Sequence, residues 1–89
     1  MTRPHEKQCI LEVIHATFYA RRNEHSLTIS EATALTEIYR SVNTVTHYTI
    51  DCLHTCIQSH TEGLDVLWGV YDRAKELYQE RCASWEETN

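Results

Sequence analysis

The sequence predicts an all-α protein in which three antiparallel helices form a single helical domain over residues 1–89. Two observations support this fold class. The chain has only two glycines and one proline in 89 residues, so few positions interrupt a helix. Apolar residues also recur at spacings of three and four, which is the period of one helix face. Together these features are typical of a small helical bundle.

The first helix is expected at about residues 4–23. Pro4 suits a first helical turn, where the N–H that proline lacks would have no partner. Ile10, Ile14 and Phe18 then share one face. A polar stretch without periodicity follows, and we expect it to form the loop to the next helix.

The second helix is expected at about residues 28–60, which makes it the longest element. Thr28 and Glu31 have the spacing of a capping box. A mostly apolar seam follows without glycine or proline: Leu35, Ile38, Val42, Val45, Thr49, Cys52 and Cys56. The β-branched residues between positions 42 and 50 favour a strand as the competing interpretation. The helix is preferred because the three-four spacing continues past both ends of that stretch.

The third helix is expected at about residues 62–86, after a break near Gly63. Its apolar residues again recur at spacings of three and four: Leu64, Leu67, Tyr71, Ala74, Tyr78 and Trp85. Short polar turns make the first and third helices antiparallel neighbours of the second.

The length of the second helix predicts a homo-oligomer. A helix of about 33 residues spans roughly 45–50 Å at about 1.5 Å per residue, which is long for a chain of 89 residues. Two shorter helices leave part of its seam uncovered, and a small chain gains stability when another copy buries such a surface. We expect the half of the seam from Leu35 to Val45, together with Tyr39, to form the subunit contact.

Composition excludes several classes of protein. The net charge of −5 at pH 7 argues against direct nucleic-acid binding, which normally needs a basic surface. No run approaches the roughly 20 apolar residues of a membrane span, and the N-terminal residues lack a signal-peptide core. We therefore expect a cytoplasmic protein, in the host cell's cytoplasm if the chain is viral, with four cysteines that remain thiols.

No motif indicates catalysis, so we expect no enzyme, no catalytic residue and no cofactor. The chain lacks a nucleophile elbow, a Walker loop, a zinc-protease helix and a dinucleotide fingerprint. Cys52, Cys56 and His60 stand four residues apart, and on one helix face they offer three metal ligands. The alternative interpretation is that the two cysteines are buried thiols of the seam. Since no Cys-x-x-Cys turn is present, we expect no metal.

Two clusters are candidates for ligand binding. The turn between the first two helices combines cationic, aromatic and hydroxyl side chains: Tyr19, Arg21, Arg22, His25, Ser26 and Thr28. Guanidinium groups, hydroxyls and a helix N-terminus suit phosphates, and an aromatic ring suits a base. The alternative is structural, with the arginines and Thr28 capping the helices. The second cluster lies in the middle of the second helix, where it can face a partner subunit: Tyr39, Arg40, His47 and Tyr48.

Residues 34–38, with the sequence Ala-Leu-Thr-Glu-Ile, resemble the helical hairpin shared by phage anti-CBASS and anti-Thoeris sponge proteins. The resemblance covers about residues 5–50. Where that hairpin usually has an acidic pair and a tryptophan, this chain has Tyr39, Arg40 and Thr44. The resemblance implies a small oligomeric protein that sequesters a cyclic nucleotide without cleaving it. It also implies phosphate contacts at the positions of four residues: Ser26 and Thr28, with Arg21 or Arg22 nearby.

These observations predict a non-enzymatic, phage-type anti-defence protein that holds a cyclic oligonucleotide at subunit interfaces. One alternative is a protein-binding inhibitor of a host defence protein, either a plug like an anti-CRISPR or an acidic mimic of nucleic acid. The acidic residues of the third helix favour the mimic: Asp65, Asp72, Glu76, Glu80, Glu86 and Glu87. Another alternative is a structural or regulatory helical module.

Overall fold

A computed structural model describes residues 4–88 of the chain, and these residues form four α-helices without a strand. The helices are α1 (Glu6–Asn23), α2 (Ile29–Thr44), α3 (Ile50–Gln58) and α4 (Leu64–Thr88). None of them has the length and hydropathy needed to cross a membrane. The prediction of an all-α chain is confirmed over these residues, whereas the prediction of three helices is wrong.

The start of α2 confirms the capping box. The Thr28 hydroxyl accepts a hydrogen bond from the Glu31 N–H at 3.1 Å, and the Glu31 carboxylate accepts one from the Thr28 N–H at 3.0 Å. Each side chain thereby satisfies a backbone donor that has no partner within the helix. The end of α1 at Asn23 is also as predicted.

The predicted continuous helix over residues 28–60 is wrong, because the chain leaves the helical conformation at Val45. Val45 is extended, with φ −105° and ψ 126°, and the chain becomes helical again after Thr49. The Thr49 hydroxyl accepts a hydrogen bond from the Cys52 N–H at 3.2 Å. The β-branched residues here have a low helix propensity, and a threonine that caps a new helix competes with continuation of the old one.

Side chains of α1 bind both ends of this loop. The Lys7 ammonium donates to the carbonyl oxygen of Val45 at 2.8 Å. The Glu6 carboxylate accepts a hydrogen bond from the N–H of Ile50 at 3.1 Å. Tyr48 lies within the loop and is only 5% exposed. Its burial raises the pKa of the phenol to about 12. The first turn of α1 therefore satisfies backbone groups that the break exposes.

The break also changes which residues of the seam are buried. Ile50, Leu53 and Ile57 enter the core from α3, whereas Cys52 is exposed and Cys56 only partly buried. On the other side of the loop, three seam residues of α2 are fully buried within the chain: Leu35, Ile38 and Val42. The apolar contact expected from that half of the seam is therefore made by the chain's own helices.

The four helices form an antiparallel bundle. Within it, α1 packs against α2 and α4, and α3 packs against the same two helices. Glu12 of α1 and Arg81 of α4 form a two-pronged ion pair that links the first and last helices. α2 and α4 are also in contact.

Gly63 before α4 should be intolerant of a side chain. Its φ is +67°, and an added Cβ would lie 2.9 Å from the Cβ of Ala34. We expect Gly63→Ala to lower the free energy of unfolding by about 2–3 kcal/mol, measured by urea denaturation. Gly69→Ala is the matched control, because no atom beyond its chain neighbours and its own helix backbone lies within 4 Å of its added Cβ. Gly69→Ala should raise the free energy of unfolding by about 0.5–1 kcal/mol, because alanine favours the helix over glycine. Equal losses of stability in the two variants would contradict the special role of Gly63.

The capping box should make stability depend on pH. The hydrogen bond from the Thr28 N–H, together with the charge of Arg21, holds the pKa of Glu31 below its ordinary value of 4.5. The charged carboxylate therefore stabilises the fold above about pH 4.5, and this contribution is lost as the pH falls through the lowered pKa. We expect Glu31→Gln to reduce Tm at pH 7 and to differ less from the wild type at pH 3. Glu87→Gln at an exposed position of α4 controls for the loss of one charge.

Candidate ligand-binding groove

Half of the predicted turn cluster is used to join α1 to α2. The Arg21 guanidinium donates to the Glu31 carboxylate at 2.9 Å, and the Thr28 hydroxyl accepts from the Glu31 backbone. The Ser26 hydroxyl donates to the carbonyl oxygen of Arg21 at 3.4 Å. Thr28 therefore caps α2, as in the structural alternative, and the contacts of Arg21 and Ser26 also lie within the protein.

Two other members of the cluster are exposed on the outer side of α1. Tyr19 is 67% exposed, and Arg22 is exposed as well. His15, Tyr19 and Arg22 are spaced by four and three residues, so they share one face of the helix. This face borders the groove between α1 and α2.

An aromatic groove of about 290 Å³ lies between α1 and α2 and is open to solvent. Its lining is mostly apolar: Ile14, His15, Phe18, Leu35, Thr36 and Tyr39. The rings of His15 and Tyr39 meet edge to face, with centroids 5.1 Å apart and planes at 80°. We call this region the α1–α2 groove. Such a surface suits a planar ring, because aromatic side chains stack on the faces of bases.

Arginine side chains flank the α1–α2 groove at both ends. Arg22 lies one helical turn after Phe18 in α1, and Arg40 lies one turn after Thr36 in α2. Since the two helices are antiparallel, the arginines extend in opposite directions from the middle of the groove. Both are exposed, and neither takes part in an ion pair within residues 4–88. Their guanidinium groups remain available for anions.

The structure thus regroups the residues predicted from sequence. It brings Tyr39, Arg40, Tyr19 and Arg22 to one side of the α1–α2 hairpin, although the sequence places them in two clusters. His15 and Phe18 were missed. Their spacing with Arg22 on α1 was the available signal, but only the pairing with α2 shows that they line a groove.

The predicted absence of a metal site stays a prediction, although the three candidate ligands do not converge. Cys52 is exposed, and the Thr49 hydroxyl donates to its sulfur at 3.2 Å, which lowers the pKa of the thiol. His60 lies beyond the end of α3, with Nδ1 3.6 Å from the Glu37 carboxylate. Among the described residues, no group of three or more potential ligands is placed to hold a metal ion, and all four cysteines are free.

Substitution of Arg21 and substitution of Arg22 should have different effects on the free energy of unfolding. Arg21→Ala removes the ion pair with Glu31, so we expect the free energy of unfolding to fall by about 0.5 kcal/mol. Arg22→Ala removes an exposed side chain without an ion-pair partner, so stability should not change measurably. Thermal and urea unfolding of the two variants, side by side, measure this difference. A larger loss for Arg22→Ala would contradict the assignment of the two side chains.

Comparison with known proteins places the chain in no family: no family model matches it, and neither a curated protein nor a solved structure does. The interpretation of the groove therefore rests on the residues and contacts of the chain itself.

Proposed function

We propose that the chain is a non-enzymatic, phage-type anti-defence protein that sequesters a cyclic nucleotide in the α1–α2 groove. The observation that supports this proposal is the combination of an open aromatic groove with unpaired arginines at both ends. This combination matches the two chemical parts of a cyclic nucleotide, a planar base and a charged phosphate.

The rings of the groove provide the site for a base. His15, Phe18 and Tyr39 line it together, and a base stacked on such rings gains about 1–3 kcal/mol per base. Stacking depends little on the identity of the base. We therefore assign the groove to bases in general rather than to one of them.

The arginines provide the sites for phosphates. Arg22 and Arg40 each lie about one helical turn from the middle of the groove, in opposite directions. About two turns, or about 11 Å, therefore separate them along the helix axes. A ligand with more than one phosphate can contact both guanidinium groups, whereas a mononucleotide reaches one. We therefore favour a cyclic di- or trinucleotide.

The lining of the groove supports binding without cleavage. None of the six lining residues is a carboxylate, serine, cysteine or lysine. The hydroxyl of Thr36 donates to the carbonyl oxygen of Ala32 at 2.7 Å, so its proton is held by the backbone rather than by a general base. The protein would act by mass action, with affinity and copy number determining how much messenger stays free in the host cytoplasm.

An acidic nucleic-acid mimic is less well supported. Arg73 lies 3.1 Å from the Glu76 carboxylate and 3.5 Å from that of Glu80. Arg81 pairs with Glu12 in the same way. Cations therefore interrupt the row of carboxylates along α4, whereas a mimic of a phosphate backbone needs a continuous one.

Calorimetric titration with cyclic di- and trinucleotides tests the proposal. We expect one of them to bind with a micromolar or lower dissociation constant and to be recovered intact by chromatography. Tyr39→Leu keeps apolar bulk but removes the ring, and Arg22→Ala removes one phosphate contact; each should weaken binding about tenfold or more. Arg73→Ala on α4 is the control and should bind as the wild type does. Absence of heat and of a melting shift at micromolar concentration would reject the function.

A further inference from the structure

A second aromatic surface lies where α3 packs against α4. The ring of His54 lies 5.1 Å from that of Trp68 and 5.3 Å from that of Tyr71, and the two larger rings are 5.6 Å apart. All three side chains are partly exposed. Edge-to-face contacts hold these rings as one rigid surface.

Carboxylates surround this second aromatic surface. Asp65 and Asp72 lie three residues before and four residues after Trp68, so they flank its ring on the same side of α4. Asp51 lies three residues before His54 on α3. All three are exposed, and none of them takes part in an ion pair among the described residues. Lys75 is the cation on this side, so the face carries a net negative charge.

These two surfaces are therefore complementary in charge and alike in aromatic character. We call them the basic face (the α1–α2 groove with Arg22 and Arg40) and the acidic face (the α3–α4 rings with Asp51, Asp65 and Asp72). Opposite charges steer two surfaces together and set their orientation. Aromatic rings and arginines are also the side chains enriched at protein interfaces.

We propose that the basic face of one copy docks on the acidic face of a second copy, head to tail. A second copy is the occupant that the charges favour, because one molecule presents both matching surfaces. Two copies of the basic face would instead bring four guanidinium groups together without a carboxylate between them. A head-to-tail contact leaves one free face at each end, so the chains form a closed ring or an open filament.

Docking would occupy the arginines that the proposed function assigns to phosphates. Arg22 and Arg40 would face Asp65 and Asp72 of the partner subunit, so a phosphate ligand would compete with docking. This competition rests on the proposed function, whereas the docking itself does not. The two can therefore be tested separately.

Sedimentation of the ligand-free protein over a concentration series tests the docking. We expect masses of several chains at tens of micromolar, and a fall toward one chain in 0.5 M salt, because salt screens exposed charges. The variants Arg22→Glu/Arg40→Glu and Asp65→Lys/Asp72→Lys each make both faces alike in charge. Each should self-associate at least tenfold more weakly than the wild type.

Mixing the two variants is the decisive measurement. Each keeps the native face that the other has lost, so an equimolar mixture should recover association. Glu86→Lys/Glu87→Lys, which reverses two exposed charges near the end of α4, should associate as the wild type does. Circular dichroism checks that each variant is folded. If one of them is not, the salt dependence of the wild type still tests the docking.

Three outcomes would overturn the proposal. A wild type with the mass of one chain at all concentrations excludes docking, even if it binds a cyclic nucleotide. Loss of association in the arginine variant alone indicates a contact between two basic faces. A mixture that does not recover association excludes a head-to-tail contact. Conversely, association without any response to cyclic nucleotides leaves the docking intact and removes the proposed function.

Discussion

Two hydrogen bonds from α1 to the loop between α2 and α3 are the constraint on which the rest of the structure depends. Lys7 binds the carbonyl oxygen where α2 ends, and Glu6 binds the N–H where α3 begins. Exposed backbone groups at a helix break cost free energy unless they find partners. Because one turn of α1 supplies both partners, the chain reverses direction there, and α3 returns along α2 to present Leu53 and Ile57 to the core.

This reversal determines which surfaces remain for function. A continuous central helix would have offered its apolar seam to another molecule. In the folded chain Leu35, Ile38 and Val42 of the seam are covered from within, and aromatic side chains lie where the helices meet at the surface. Phe18 and Tyr39 lie between α1 and α2, and Trp68 lies between α3 and α4, each partly exposed. Rings at an edge offer both stacking and hydrogen-bonding partners, so such surfaces suit ligands and polar interfaces better than a buried seam does.

Much of the local structure could be predicted from residues that interact within a few positions. Thr28 and Glu31 specify the start of α2 by themselves, and Gly63 marks a turn. The break at Val45 could not be predicted, because the three-four spacing continues across the loop by coincidence and the stabilising partners lie in α1. The partner of Arg21 could not be predicted for the same reason. Its spacing suits a phosphate equally well, and only the approach of α1 to α2 brings it to Glu31.

The ion pair between Glu12 and Arg81 joins residues that are 69 positions apart in the sequence. α1 therefore packs against α4, which leaves the ribosome after α1, α2 and α3. Until α4 has emerged, these three helices lack its contacts, and Val13 of α1, which lies beside Leu77 of α4, is incompletely covered. Contacts of such large sequence separation slow folding, because loop closure is costly before they form. Completion of the bundle is thus delayed until α4 has been synthesised, and the α1–α2 hairpin depends on its own caps during that interval.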